Sequence, residues 1–258
     1  MLPEERRQKI LENLEDAKVV SIQDLSDKLN VSEMTIRRDL GILEEEQLLK
    51  RTRGGALITQ SFSKEPQFEI KLSKQGSVKE TLAHYAATKL VNNDEVIILE
   101  GGTTVSNMAK FLTPYRNLTI ITNGLHTLNA LQDLLPYNTL ICPGGILREK
   151  AQTFVGPITE RYFQEFHAMK LFLSATGYTR ESGFTDPNML ETQLKHKMIQ
   201  SAAQKIVLFD SSKFGIRSLS PAFSLSDINI LITDEGIPQE FLTEFEANSI
   251  KVIKVPNI

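Results

Sequence analysis

Short helical repeats of apolar residues open the chain. Pro3 suits a first helical turn, Glu4 and Glu5 suit its positive end, and Ile10, Leu11 and Leu14 share one face, so a helix is predicted over Pro3–Leu14. Ser21 with Asp24 three residues on resembles a capping box, with Asp in place of the usual Glu, and opens a second helix whose buried stripe is Ile22, Leu25 and Leu29. Asn30-Val31 reads as a tight turn, because Asn tolerates the left-handed conformation. Ser32 then caps a third helix, with Ile36, Leu40 and Leu43 at helical spacing. Lys50-Arg51-Thr52-Arg53-Gly54-Gly55-Ala56-Leu57 follows and reads as two short strands around a basic, glycine-containing tip. Residues 1–57 thus read as a winged helix-turn-helix.

From Leu57 to Gln75 no period is sustained, and 58–75 is expected to be a linker carrying Ser61, Ser63, Lys64, Pro66 and Lys74. Beyond it, in 76–258, the period changes. Strands are predicted at Val96–Leu99, Leu118–Thr122, Thr139–Cys142, Leu171–Ser174, Lys205–Phe209, Ile228–Thr233 and Lys251–Val255. Helical patterns fall at Glu80–Leu90, Val105–Leu112, Leu125–Leu134, Glu191–Ala203 and Pro238–Glu246. Strands alternating with helices predict an α/β domain with a mostly parallel, Rossmann-like sheet. Nearly continuous apolar runs such as Ile206-Val207-Leu208-Phe209 fit a sheet covered on both faces.

Composition narrows the function. The 258 residues are 41% hydrophobic and 24% charged, as in a globular protein with real cores. The charged start does not resemble a secretory signal, and the richest apolar run, Val96-Ile97-Ile98-Leu99, is strand-sized, so a cytoplasmic location with no membrane partner is expected. One cysteine, Cys142, excludes an internal disulfide and a cysteine-based zinc finger, and the four histidines show no metal spacing. No cofactor is expected. A net charge of −3 argues against general attraction to nucleic acid, and residues 1–57 hold 10 Lys and Arg against 12 Asp and Glu. Any DNA contact must come from a local patch. The third helix supplies one. Its first turns offer Ser32, Thr35, Arg37 and Arg38 to base edges or phosphates, and the wing offers Lys50, Arg51 and Arg53 to backbone or minor groove.

These residues resemble those of the DeoR family of sugar-responsive regulators. The resemblance rests on Glu5-Arg6-Arg7-Gln8-Lys9-Ile10, on Val31-Ser32-Glu33-Met34-Thr35-Ile36-Arg37-Arg38-Asp39-Leu40, and on Gly54-Gly55-Ala56. It continues through Glu100-Gly101-Gly102-Thr103-Thr104, Thr122-Asn123, Gly144-Gly145, Ser174-Ala175-Thr176-Gly177, Asp210-Ser211-Ser212-Lys213-Phe214 and Ile232-Thr233-Asp234. It implies a repressor that binds double-stranded operator DNA as a homodimer or higher homo-oligomer. It also implies an effector domain folded like sugar-phosphate isomerases, with a phosphorylated sugar as ligand. The family often has His where this chain has Arg53, and Asp-Ser-Gly-Thr-Thr where it has Glu100 to Thr104. It often has Asp ahead of the strand at Leu171, where this chain has His167-Ala168-Met169-Lys170.

Each of these second-domain motifs follows a predicted strand, where ligands collect in open α/β sheets. Gly101, Gly102, Thr103 and Thr104 are expected to meet an anion at a helix start. Asn123, Gly144, Gly145 and Gly177 are expected to line the site, Arg148 and Lys213 to neutralise the phosphate, and Glu100 and Asp210 to accept sugar hydroxyls. Two other readings stand beside this one. The first is a sugar-phosphate isomerase using Glu100, Asp210 and Lys213. The second is a phosphosugar-binding protein whose first domain contacts proteins only.

Overall fold

A computed structural model describes residues 2–17, 19–45, 48–58 and 65–256, which separate into two compact units, Met1–Pro66 and Gln67–Ile258. Within the stretch expected to be a linker, residues 59–64 lie outside the described residues, as does Glu46.

The first unit holds α1 (Pro3–Ala17), β1 (Val19–Ser21), α2 (Ile22–Leu29), α3 (Glu33–Glu45), β2 (Leu49–Arg51) and β3 (Gly55–Ile58). The strands form an antiparallel sheet in the order β1-β3-β2. The local chemistry acts as the residues dictate. Ser21 accepts the Asp24 N–H at 3.0 Å, Asn30 sits at φ 51°, and Ser32 Oγ accepts the Thr35 N–H at 3.2 Å. Ile10, Leu14, Ile22, Leu25, Ile36, Leu40 and Leu43 close over Leu49 and Ala56 in one core. Strand β1 is the element the periodicity did not predict, since three residues are too few to show a period. It explains Gly55, where a Cβ would collide with the Val20 carbonyl, whereas Gly54 faces open space.

The second unit is built on seven parallel strands. They are β4 (Val96–Leu99), β5 (Thr119–Thr122), β6 (Thr139–Ile141), β9 (Ala168–Leu173), β12 (Ala202–Leu208), β14 (Ile230–Asp234) and β15 (Lys251–Val255), in the order β15-β14-β12-β9-β4-β5-β6. Alternation along each strand feeds two cores. Ile98, Leu171, Leu173, Val207 and Leu231 point to one face, and Ile97, Leu99, Phe172, Ile206, Leu208 and Ile232 to the other. The first face is covered by α9 (Met189–Gln200), by α10 (Gln239–Ala247) and by a small sheet of β10 (Gly177–Thr179), β11 (Gly183–Asp186) and β13 (Ser220–Phe223). Tyr178, Phe184, Phe209, Phe214 and Phe245 pack edge-to-face there. The second face is covered mainly by α5 (Gly76–Leu90), through Leu82, Ala83, Ala86 and Ala87.

Several expectations change. Part of the expected linker is a helix, α4 (Phe68–Ser73), with Phe68 buried. The helix predicted at Val105–Leu112 is one α-turn, α6 (Thr103–Ser106), running into a 3-10 segment, Asn107–Phe111. The helix at Leu125–Leu134 likewise divides into α7 (Leu125–Ala130) and a 3-10 turn, Gln132–Leu134. Ala202 and Ala203 belong to β12 and not to the preceding helix. The antiparallel pair β7 (Ile146–Arg148) and β8 (Thr153–Val155), and α8 (Pro157–Phe163), were too short to predict.

In the first unit, Arg6 Nε lies 2.5 Å from the buried Asp39 carboxylate, and Arg7 approaches it at 3.9 Å. The pair ties α1 to α3. Asp39→Ala is expected to cost about 1.5–3 kcal/mol, the range for a hydrogen bond to a charged group. Hydrogen exchange should quicken in the amides of α1 and α3 and stay unchanged across residues 67–256.

Candidate functional site

Helix α3 presents the expected DNA-reading residues on its exposed side. Ile36, Asp39 and Leu40 are buried, while Ser32, Arg37 and Arg38 are exposed and Thr35 is half-buried. Ser32 and Thr35 are already engaged with each other, their hydroxyls 2.9 Å apart at the helix cap. Arg37 makes only a loose surface pair with Glu33 at 3.3 Å. Met34, which the sequence reasoning passed over, is 74% exposed in the first turn. Its apolar tip is the kind of group that meets a thymine methyl in the major groove. Lys50, Arg51 and Arg53 are exposed, and the Arg51 N–H donates to Glu44 Oε1 at 2.9 Å, which holds the wing against α3.

In the second unit the strand order places the topological switch between β4 and β9: from β4 the chain goes to β5 and β6 on one side, and later strands add on the other. A crevice at the carboxyl ends of such strands is where open α/β sheets bind ligands. Two charged clusters meet there.

The first centres on Lys195, a fully buried residue of α9. Its ammonium donates to Ser174 O at 2.6 Å and to Asp186 Oδ2 at 2.6 Å, with Glu100 Oε1 at 3.5 Å. Burial pushes the Lys195 pKa down, but Asp186 and Glu100 outweigh it and hold the group above its ordinary value. Glu100 is the weaker claimant for that charge. Burial holds its carboxyl above the usual carboxylate range, despite Lys195, and Oε2 has no hydrogen-bond partner. The carboxylate folds back on its own loop, and a Cβ at Gly102 would lie 2.7 Å from Oε2.

The second cluster centres on Asp210, after β12. Lys213 Nζ lies 3.4 Å from Asp210 Oδ2 and donates to Ser174 Oγ at 3.1 Å. Burial alone would raise the Asp210 pKa, but Lys213, the Ser212 hydroxyl and Lys79 together hold it below the usual range. Lys79, from α5, was not among the sequence candidates. Its Nζ donates to Lys71 O, the carbonyl to which Thr103 Oγ1 also donates at 3.4 Å. An isolated lysine on an apolar helix face carries no motif, so only the tertiary structure reveals it.

The other candidates have structural duties. Asn123 accepts the Gly101 N–H at 2.9 Å and donates to Phe154 O at 3.2 Å, so its amide ties the loop after β4 to β8. Gly101 is required by that approach: a Cβ would lie 2.6 Å from Thr153 Cγ2 and 2.8 Å from Gly124 Cα. Gly144 and Gly145, at φ 68° and 121°, turn the chain after the edge strand β6, two strands from β4. A Cβ on Gly145 would collide with Thr159, and one on Gly177 with the Ile216 backbone. Arg148 is bound to Glu191 at 2.6 Å, a carboxylate that also accepts the Thr153 hydroxyl. Thr104 is buried with its hydroxyl unpartnered. Because α6 is a single turn, its dipole is small, and lysine charge is the larger attraction for an anion. Among the described residues no group of three or more His, Cys, Asp or Glu could hold a metal ion. Among these residues, too, no helix is long and apolar enough to cross a membrane.

Comparison with known proteins agrees with this architecture. Residues 6–62 match the family model of the DeoR-like helix-turn-helix domain, and residues 74–235 that of the DeoR C terminal sensor domain. The chain is 39% identical to the uncharacterized HTH-type transcriptional regulator YulB of Bacillus subtilis, over 99% of this chain and 98% of that one. It is 35% identical to the HTH-type transcriptional regulator GolR of Listeria innocua, over 98% of each chain. It is 31% identical to the transcriptional repressor AccR of Agrobacterium fabrum, over 90% of each. Among solved structures, ribose 5-phosphate isomerase A of Methanocaldococcus jannaschii is similar over 54% of this chain and 55% of that one, with 17% identity and a TM-score of 0.39.

Lys195 is the cation shared by two buried carboxylates. Lys195→Met is expected to destabilise the second unit by about 3–5 kcal/mol, because Asp186 and Glu100 lose their common partner. Glu100→Gln should be neutral or stabilising in urea denaturation. Its carboxyl is raised in the fold, so the folded state favours the protonated acid, and that preference is lost as pH rises through the folded pKa. The gain from Glu100→Gln should therefore be larger at pH 8 than at pH 5.

Proposed function

This chain belongs to the DeoR family of transcriptional regulators, and from that premise we propose that it represses a sugar-utilisation operon and releases its operator when a phosphorylated sugar binds the second unit. The observation that carries the reading is the joint presence, in one chain, of a DNA-binding unit and a sensor unit matched across almost their whole lengths. Arg37 and Arg38 read base edges or phosphates from the exposed side of α3, with Ser32, Thr35 and Met34 beside them. Lys50, Arg51 and Arg53 contact the adjacent backbone or minor groove. Two copies of the chain present two such units to a palindromic operator. A regulator of DNA in this form works in the cytoplasm and has no need of catalysis.

The crevice at the switch point suits the effector's two chemistries. The Glu100 carboxyl, with an unpartnered oxygen, accepts or donates to a sugar hydroxyl. Lys213 and the loop Gly101-Gly102-Thr103-Thr104 face the phosphate. Binding shifts operator affinity only if the ligand holds two arrangements of the protein unequally.

The test is fluorescence anisotropy with the DNA upstream of the protein's own gene, across a salt series. Ribose 5-phosphate, fructose 1-phosphate, fructose 6-phosphate and glucose 6-phosphate are added in turn, each beside its unphosphorylated sugar. Specific binding that falls steeply with salt, and is weakened by one phosphate but not by its parent sugar, is expected. Arg37→Ala with Arg38→Ala should weaken binding at least about tenfold, the low end for losing a base contact. Lys50→Ala should weaken it evenly across sequences and reduce the salt slope by roughly 1. Unchanged affinity in the double variant would overturn the assignment of α3. Turnover of any of these phosphates by the purified chain would revive the isomerase reading.

A further inference from the structure

Large apolar side chains are left uncovered around the ribbon of β7 and β8. On one side β8 is fastened to the loop after β5, where the Phe154 N–H donates to Asn123 O at 2.7 Å, but among the described residues β7 pairs with no strand other than β8. Ile146 and Leu147 are consecutive in β7, so they point to opposite faces of the ribbon, and both are exposed. A two-stranded ribbon is marginal in water unless its apolar side chains are covered. Ile146 leans over Gly156, where an added Cβ would lie 3.1 Å from it, and the Thr159 hydroxyl donates to Gly144 O at 2.6 Å. The ribbon and α8 therefore adjoin. Within α8, Thr159 and Phe163 turn inward, while Ile158 and Tyr162, four residues apart, line the outer side. Arg148, bonded to Glu191, brings the first turn of α9 alongside, and Met189 and Leu190 are exposed there. Ile158 is 68% exposed, Met189 60% and Ile146 57%. Exposed singly, such residues are ordinary; adjoining, six of them leave on the order of several hundred Å² of apolar surface, the size of patch that on a monomer marks a functional face.

Resting on the reading that two copies present two DNA-binding units, we propose that this face, centred on Ile146, Leu147, Ile158 and Tyr162, is where a second copy of the chain docks. Its area is of the order of the apolar share of the roughly 800 Å² that each partner gives to a stable interface. Its charge points to a copy. Residues 146–165 carry three basic side chains, Arg148, Lys150 and Arg161, and three acidic ones, Glu149, Glu160 and Glu165. A face without net charge attracts neither nucleic acid nor a strongly charged protein. A copy related by a two-fold axis presents the same mixture reversed, and so sets bases of each chain near acids of the other. Arg161 meets Glu165 of its own helix only loosely, at 3.9 Å with both side chains exposed, and can turn to such a contact. Tyr162 offers an apolar ring with a hydroxyl at its tip, the kind of group that interface cores favour. The face includes the first turn of α9, the helix that carries Lys195, so the contact between copies and the crevice share one element.

The test is light scattering on the full chain as it elutes from a sizing column, over a dilution series. The wild type should run at the mass of two chains or a multiple of two. Ile158→Glu combined with Tyr162→Glu puts like charges into the contact. It should halve that mass and raise the dissociation constant at least about thirtyfold, the effect of losing one hot-spot side chain. Leu135→Glu, also exposed but at the amino end of β6, should leave the mass unchanged. Because Ile158 and Tyr162 face outward, the double variant should keep the wild-type circular dichroism. Should it fail to fold, Ile158→Ser is the gentler replacement, and there the dissociation constant should rise about tenfold or more. A one-chain mass for the wild type at every concentration, or wild-type mass in a folded variant across the whole series, would overturn the proposal. So would dissociation by Leu135→Glu but not by the α8 variants. Operator binding separates this interface from the reading on which it rests. Halved mass with operator affinity unchanged would uphold the interface and remove its place in DNA binding. Unaltered mass in the variant, with operator still released by a sugar phosphate, would remove the interface and leave repression standing.

Discussion

One buried ammonium organises the carboxyl edge of the large sheet. Lys195 reaches from α9 to the carbonyl after β9, to the carboxylate that ends β11 and to the carboxyl that follows β4. Those three points lie on both sides of the topological switch. With one positive charge and two carboxyl groups in a water-poor space, the ammonium bonds Asp186, and burial raises the pKa of Glu100. The loop after β4 is shaped around that outcome. Gly102 leaves room for the Glu100 carboxyl, Gly101 lets the loop meet Gly124, and Asn123 fastens the two together.

The crevice therefore has two electrostatic sides. Around Lys195 the carboxylates outnumber the cation, which suits hydroxyl groups that both donate and accept hydrogen bonds. Around Lys79 and Lys213 the lysines outnumber Asp210, which suits an anion. A sugar phosphate has this polarity in one molecule. Neither side depends strongly on the short α6. A single helical turn contributes little dipole, and the same backbone run continues as a 3-10 segment whose side chains pack into the core. Arg148, a cation by composition, is committed to Glu191, and so joins the packing between β7 and α9.

The DNA-binding unit follows a simpler logic. Its stability lies in one apolar cluster and in the Arg6–Asp39 pair, and both sit on the inner face of α3. The outer face is left to Met34, Arg37 and Arg38, without strong internal partners among the described residues. Separating the two faces leaves the outer side chains free to be exchanged without loosening the helix that carries them.

Much of this was legible in the residues alone. Helical spacing of Ile36, Leu40 and Leu43, the caps Ser21 and Ser32, and the left-handed Asn30 are local physics, set by neighbours a few positions away. The alternation of strands with helices, and the parallel sheet it implies, follow from strands too apolar to face water. Glu100, Thr103, Asp210 and Lys213 stand out as candidates because each follows such a strand. The tertiary structure alone decided what those residues do. Whether Arg148 faces a ligand or Glu191, whether Asn123 reads a sugar or holds Gly101, and whether Gly55 serves the wing tip or the close approach of β1 depend on partners distant in sequence. Lys79 is the clearest case. Its neighbours in the chain mark it as one more polar residue on a helix, and its altered chemistry comes first from burial and then from Lys213, more than a hundred residues away, with Asp210 opposing. Burial and Coulomb interactions act through space, so the sequence determines which charges exist and the fold determines which of them must share one volume.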